Sequence, residues 1–351
     1  MSKQIALDNI HLRPAERWGH TEYSMEYHPE YISKVTGLAP DNPRRHQRFR
    51  ELWQYDFQFN TDDGLHRNWA EHGRSTDMGH AVYAADGVDR REPVASPFQD
   101  VEEVWAFDPA AEYGLPNFDE QVAVYQQSLD DARAANPDML VSGGYYKTII
   151  SGAIQAFGWD MLLLGASNPA RMERVFDSFF RFTKFHVEAW AKTDVEVFIQ
   201  HDDFVWTGGA FMHPDIYRNV LIARYAELWK PLHRAGKKVI FCSDGTYTDF
   251  AEDIVAAGAD GLVVEPSNDF GFMAGRFGDS TCLIGSCTDC RDMAFRSWET
   301  VRASVDRTFE LARTCRGLIL AVGNHIPANV SDEMCDQYIE HLRSRWQRQA
   351  G

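Results

Sequence analysis

Four short clusters in the second half of the chain hold residue types capable of chemistry. His201-Asp202-Asp203 sets an imidazole and two carboxylates in a row. Cys242 and Asp244 follow, then Glu265, then Asn324-His325. Histidine titrates near neutral pH, and carboxylates displaced from their ordinary range serve as acids or bases. Two carboxylates buried together are costly unless they share a proton or hold a cation. Asp244 and Glu265 are therefore read either as an acid–base pair or as metal ligands. Cys242 is a third candidate ligand, or else a small core residue. His201, Asp202, Glu265 and His325 are the candidate catalytic residues. His80, Tyr145, Tyr146, Asp203, Trp206 and Asn324 are candidates for holding substrate, where a tyrosine hydroxyl could orient a phenolic or carboxylate group. In extended chain alternate residues share a side, which pairs His201 with Asp203. The plainer alternative for Asp203 is a turn cap, and for His325 a capped turn.

Each cluster follows a short apolar run. Val195–Ile199 precedes His201, Val239–Phe241 precedes Cys242, Gly261–Val264 precedes Glu265, Cys282–Gly285 precedes Ser286–Asp289, and Gly317–Val322 precedes Asn324. Runs of this kind, separated by helical patterns, read as buried parallel strands. Polar residues at the carboxyl ends of successive parallel strands form the active face of a (β/α)8 TIM-type barrel, the expected α/β fold. Six βα units are visible from residue 139 onward, so the remaining strands must come from earlier. The expected division is an N-terminal helical and irregular extension over 1–75, packed on a barrel over 76–351. Helices are expected near 43–55, 117–135, 169–192 and 214–235, the last kinked at Pro231. Met172, Val175, Phe176, Phe179 and Phe182 read as a helix face packed on the sheet. Phe270 to Met273 reads as an apolar loop tip, and Thr76 to Tyr83 as a strand or hairpin arm.

A net charge of −17 over 351 residues repels phosphate backbones, so a nucleic-acid partner is not expected. No apolar run approaches the roughly 18 residues of a membrane helix, and no membrane partner is expected. The N-terminus lacks a signal-peptide core, which makes cytoplasmic the default location. Six cysteines in so long a chain do not suggest a disulfide frame. Cys287-x-x-Cys290 has redox or zinc spacing, but it stands without a second pair.

The ordered set of strand ends resembles the uroporphyrinogen decarboxylase-like superfamily over roughly residues 75 to 345. The supporting residues are Asp202-Asp203, Met212 to Tyr217 opening a long helix, Ala235 to Gly245, Gly258 to Gly261 with Glu265-Pro266, Ile284 to Asp289, and Gly323 to Pro327. The superfamily's decarboxylases grip substrate carboxylates with an arginine pair near the N-terminus. Gly19 to Tyr27 holds no arginine, so the resemblance points to the corrinoid-dependent methyltransferase branch. It implies transfer of a methyl group from a small methylated donor to the cobalt of a corrinoid (cobalamin). No Asp-x-His-x-x-Gly segment is present, so that corrinoid would arrive on a partner corrinoid protein or free. The aromatic content favours an aromatic methyl ether, hence O-demethylation. Zinc-binding members carry ligands at positions that fall here on Cys242, Asp244, Glu265 and Asn324, with zinc as the candidate ion. The alternatives are a decarboxylase or other lyase acting on a small acid, and a ligand-binding barrel without chemistry. The resemblance leaves room for a homodimer.

Overall fold

The computed structural model describes residues 1–25, 27–60, 69–79, 92 and 94–348. Among them nine parallel strands occupy eight barrel positions. They are β1 (Gly19–His20), β2 (Phe57–Gln58), β3 (Leu140–Val141), β4 (Gly143–Tyr145), β5 (Val197–His201), β6 (Lys238–Cys242), β7 (Gly261–Val264), β8 (Cys282–Gly285) and β9 (Leu318–Leu320). Only Ser142 separates β3 from β4, so these two form one barrel position. The ladder runs β1-β9-β8-β7-β6-β5-β4, and β3 pairs with β2. A hydrogen bond from Asp56 N–H to the His20 carbonyl, 2.8 Å, joins β2 to β1. Among the described residues the strands thus close into a ring.

The segment before residue 75 thus supplies two wall strands, β1 and β2, and the expected extension boundary at residue 75 does not divide the fold. β1 and β2 are two residues long, too short for a period-two pattern to show. The same segment supplies the floor. Helix Lys3–Ile10, capped by the Ser2 hydroxyl, sends Ala6 and Ile10 into the cluster that fills the barrel interior.

Alternation decides what each strand contributes. Val197 and Ile199 of β5, Ile240 of β6 and Val263 of β7 face the interior cluster. Phe198, Val239, Phe241, Leu262 and Val264 face the outer helices. Continued past the strand ends, the inward parity reaches His201 and Asp203, Cys242 and Asp244, and Glu265. The outward parity reaches Asp202.

Helices Arg45–Trp53, Phe118–Ala135 and Pro169–Lys192 lie where periodicity places them. The Met172 to Phe182 stripe is buried as helix-to-sheet core. The segment after Pro214 differs from expectation. Its irregularity is a π-helical stretch at Tyr217–Ile222, and Ala223–Arg234 runs on through Pro231. Phe270 to Met273 is not a loop tip. It opens helix Phe270–Phe277, with Asp269 capping the Phe272 amide, and Phe270 and Met273 are buried. Thr76 and Asp77 lie in irregular chain, and the rest of that expected strand, from His80, falls outside the described residues. No helix among the described residues is long and apolar enough to cross a membrane.

Candidate active site

A cavity of about 640 Å³ lies over the carboxyl ends of the strands. Tyr146, His201, Asp244, Glu265, Asn324 and His325 all line it, so residues from β4, β5, β6, β7 and β9 meet at one mouth.

Asp203 is its hub. Asp203 Oδ1 lies 2.9 Å from His201 Nε2 and accepts the Asp244 backbone N–H at 2.9 Å. Its other oxygen accepts the Tyr146 hydroxyl at 2.7 Å. The Tyr146 ring stacks on His201, with centroids 4.1 Å apart. Burial opposes a charge on His201, but the Asp203 carboxylate outweighs it and the imidazole pKa sits above the ordinary 6.5. Burial works against Asp203 as well, yet the facing imidazolium and the tyrosine hydroxyl hold it below the usual carboxylate range. The two therefore form an ion pair. His201 Nδ1 is buried and has no hydrogen-bond partner among the described residues.

Asp244 and Glu265 behave in the opposite way. Burial, then the charges of Asp203 and Glu265, push Asp244 well above the carboxylate range. Burial also raises Glu265, although hydrogen bonds from the Gly245 N–H, 2.8 Å, and the Asn324 amide pull the other way. The two carboxyls interact directly. A proton retained on this pair is the physical answer to two acids beside a third that stays ionised. Gly245 is essential to the arrangement. Its φ is +84°, and a Cβ there would lie 2.6 Å from the Trp206 carbonyl.

Other expected residues are placed elsewhere. Asp202 is fully buried and accepts hydrogen bonds from the Ile149, Ile150 and Ser151 amides and from the Tyr225 hydroxyl. It caps the helix over Ile150–Ala166 and does not line the cavity. Tyr145 also points outward, stacking on His186 at 5.0 Å. Trp206 is 45% exposed and packs on Trp159 and Phe211 beside the mouth, while its neighbour Thr207 lines the cavity. His80 lies outside the described residues. His325 lines the cavity with its ring edge-on to Tyr23 and Tyr27, at 4.7 and 5.7 Å.

The expected metal set does not converge. Cys242 sits one layer below the mouth in the apolar barrel interior, where burial first and then the nearby carboxylates keep its thiol protonated. A thiolate zinc site of the anticipated kind does not fit. His201, Asp203 and Asp244 do bring possible ligand atoms within 4.8 Å of one another. Asp203, however, already takes three hydrogen bonds from its surroundings.

Reading the sequence alone missed Tyr23, Tyr27, Asp289, Cys290, Arg291 and Phe295 as lining residues. Among the described residues Arg291 is the sole lysine or arginine of this lining, and Asp289 holds it at 2.7 Å. The tyrosines follow β1, whose two residues gave no strand signal. The others follow β8, where the cluster was visible but not its direction.

Comparison with known proteins agrees with this architecture. A model of the uroporphyrinogen decarboxylase (URO-D) family matches residues 156–345. A methyltransferase from Methanosarcina mazei superposes with a TM-score of 0.64 at 14% identity, covering 97% of each chain. That likeness establishes a common fold. No curated protein matches the sequence.

Proposed function

The chain belongs to the uroporphyrinogen decarboxylase family, and from that premise we propose that it is a methyltransferase that cleaves an aromatic methyl ether. The methyl group passes to a corrinoid carried by a partner protein. The observation that carries this reading is that Asp244 and Glu265 line the cavity together, where burial and the neighbouring carboxylates push both above the ordinary carboxyl range while His201 holds Asp203 below it. An ether oxygen is a poor leaving group until it gains a proton, and a neutral carboxyl at the mouth supplies one.

The acidic lining also bears on the choice within the family. Asp244, Glu265 and Asp289 line a cavity whose guanidinium, Arg291, is already paired, with Asp203 directly behind His201. A substrate carrying many carboxylates would meet repulsion rather than cationic partners. A neutral methoxylated ring would meet Tyr23, Tyr27 and Tyr146 instead.

In this reading the chain orients the donor and manages one proton. The ring packs among the tyrosines, with its methyl group toward the open mouth. Phe295, 74% exposed at the rim, would meet a docked corrinoid, which would supply the nucleophile for the methyl group. As the methyl–oxygen bond breaks, its electron pair stays on oxygen and the carboxyl pair delivers its proton there. The imidazolium of His201 then stabilises the charge left on Asp244, an interaction already present in the resting site. Solvent then supplies the replacement proton, whose uptake by the pair is favoured by the charge on Asp203.

Incubation with reduced corrinoid and a panel of methoxyphenols is the test. Methylcobalt and free phenol should form together. Glu265→Gln should slow both at least about a hundredfold, the usual scale for loss of a proton-transferring group.

A further inference from the structure

We infer that a second ligand site lies outside the barrel and takes a neutral single-ring aromatic molecule bearing an oxygen acceptor. A cavity of about 250 Å³ opens between helices Phe118–Ala135 and Pro169–Lys192 and the short helix Trp69–Glu71. It shares no lining residue with the mouth. Ring faces form its walls. Trp69 and Tyr113 stack with centroids 4.3 Å apart, and Phe182 stands edge-on to Trp69 at 6.0 Å. Planar apolar molecules prefer such a lining, and the volume is below that of pockets for drug-sized ligands.

Two polar atoms say what the ring must carry. The Trp69 indole nitrogen and the Gln121 side-chain amide nitrogen are buried and have no hydrogen-bond partner among the described residues. Trp69 is 1% exposed and Gln121 is 7% exposed. Buried donors left unpaired are unfavourable, and folded chains keep few of them. Both groups donate and neither is charged, so their complement is an oxygen acceptor. Among the described residues Glu120, His72 and His186 line the cavity and no lysine or arginine does, while the Lys147 ammonium stands 5.7 Å from the Trp69 ring centroid. A phenol or aryl ether oxygen matches these two neutral donors. The ligand class coincides with that proposed for the mouth, but the inference stands on this cavity alone.

The probe is 4-bromophenol. Crystals of the full chain soaked in it should show a bromine anomalous peak in the cavity between Trp69 and Gln121. In solution, Gln121→Leu should weaken binding at this site by about three- to tenfold, the scale of one hydrogen bond. Val124→Trp, which fills the cavity from its lining, should abolish it. Neither residue touches the mouth, so methyl transfer should be retained in both variants and will report that they fold. Bromine confined to the mouth, or wild-type binding at this cavity in both variants, would overturn the inference. The wild-type anomalous map decides the matter if a variant misfolds.

Discussion

His201 Nε2 and Asp203 Oδ1 lie 2.9 Å apart, two residues along one strand end, and Asp203 also accepts the Tyr146 hydroxyl and the Asp244 N–H. After burial itself, the charge kept on Asp203 raises Asp244 and adds to the rise of Glu265, which favours a proton retained between those two carboxyls.

Replacing Asp203 by Asn should remove the influence that lifts His201. The wild-type stability contributed by the pair is complete between the ordinary values of 3.8 for Asp and 6.5 for His. It fades as pH rises through the raised His201 pKa, and again as pH falls toward the depressed Asp203 pKa. Asp203→Asn should flatten both limbs of the stability–pH curve, measured by denaturant unfolding at a series of pH values. An unchanged curve would mean that the pair is not ionised.

Asp244→Asn should separate stability from activity. A carboxyl whose folded pKa is raised makes folding less favourable as pH climbs above its unfolded value. The variant should therefore equal or exceed wild type in thermal stability at pH 8, by roughly 1–3 °C for a chain of this size. Methyl transfer should fall at least about a hundredfold. A clear loss of thermal stability would contradict the neutral-carboxyl assignment.

Asp202→Ala should act through folding instead. It strands three backbone amides and the Tyr225 hydroxyl in the core. We expect a loss of about 3 kcal/mol or more in chemical unfolding, from several buried groups left unpaired. The folded fraction should keep its KM for the methyl donor. A normal fold with a selective fall in kcat would return Asp202 to the catalytic set.

Much of this was legible before the fold was known. The apolar runs located five strands, and period-two reading paired His201 with Asp203. Applied one residue further, the same parity puts Asp202 and Tyr145 on the outer face and Cys242 one layer below Asp244. The obstacle was reading each polar cluster as a unit, when a strand divides it between two environments. β1 and β2 left no pattern because two residues cannot alternate, and Tyr23 and Tyr27 were lost with them. The ionisation of Asp203 against the neutrality of Asp244 depends on distances across strands, which no local sequence records.

Chelation should leave methyl transfer intact if the proton comes from Asp244 and Glu265. Dialysis against a strong chelator, followed by metal analysis and assay, checks this. Loss of activity restored by a divalent ion would instead place that ion among His201, Asp203 and Asp244, where the possible ligand atoms gather.

The most direct measurement follows the ether bond itself. A methoxyphenol labelled with 13C in the methyl group and 18O in the ether oxygen is mixed with the protein and reduced corrinoid. The account predicts 13C-methylcobalt in amounts equal to the phenol formed, with all of the 18O retained in that phenol. Phenol that has exchanged its 18O, or carbon dioxide released from a carboxylic acid with no methylcobalt formed, would contradict it.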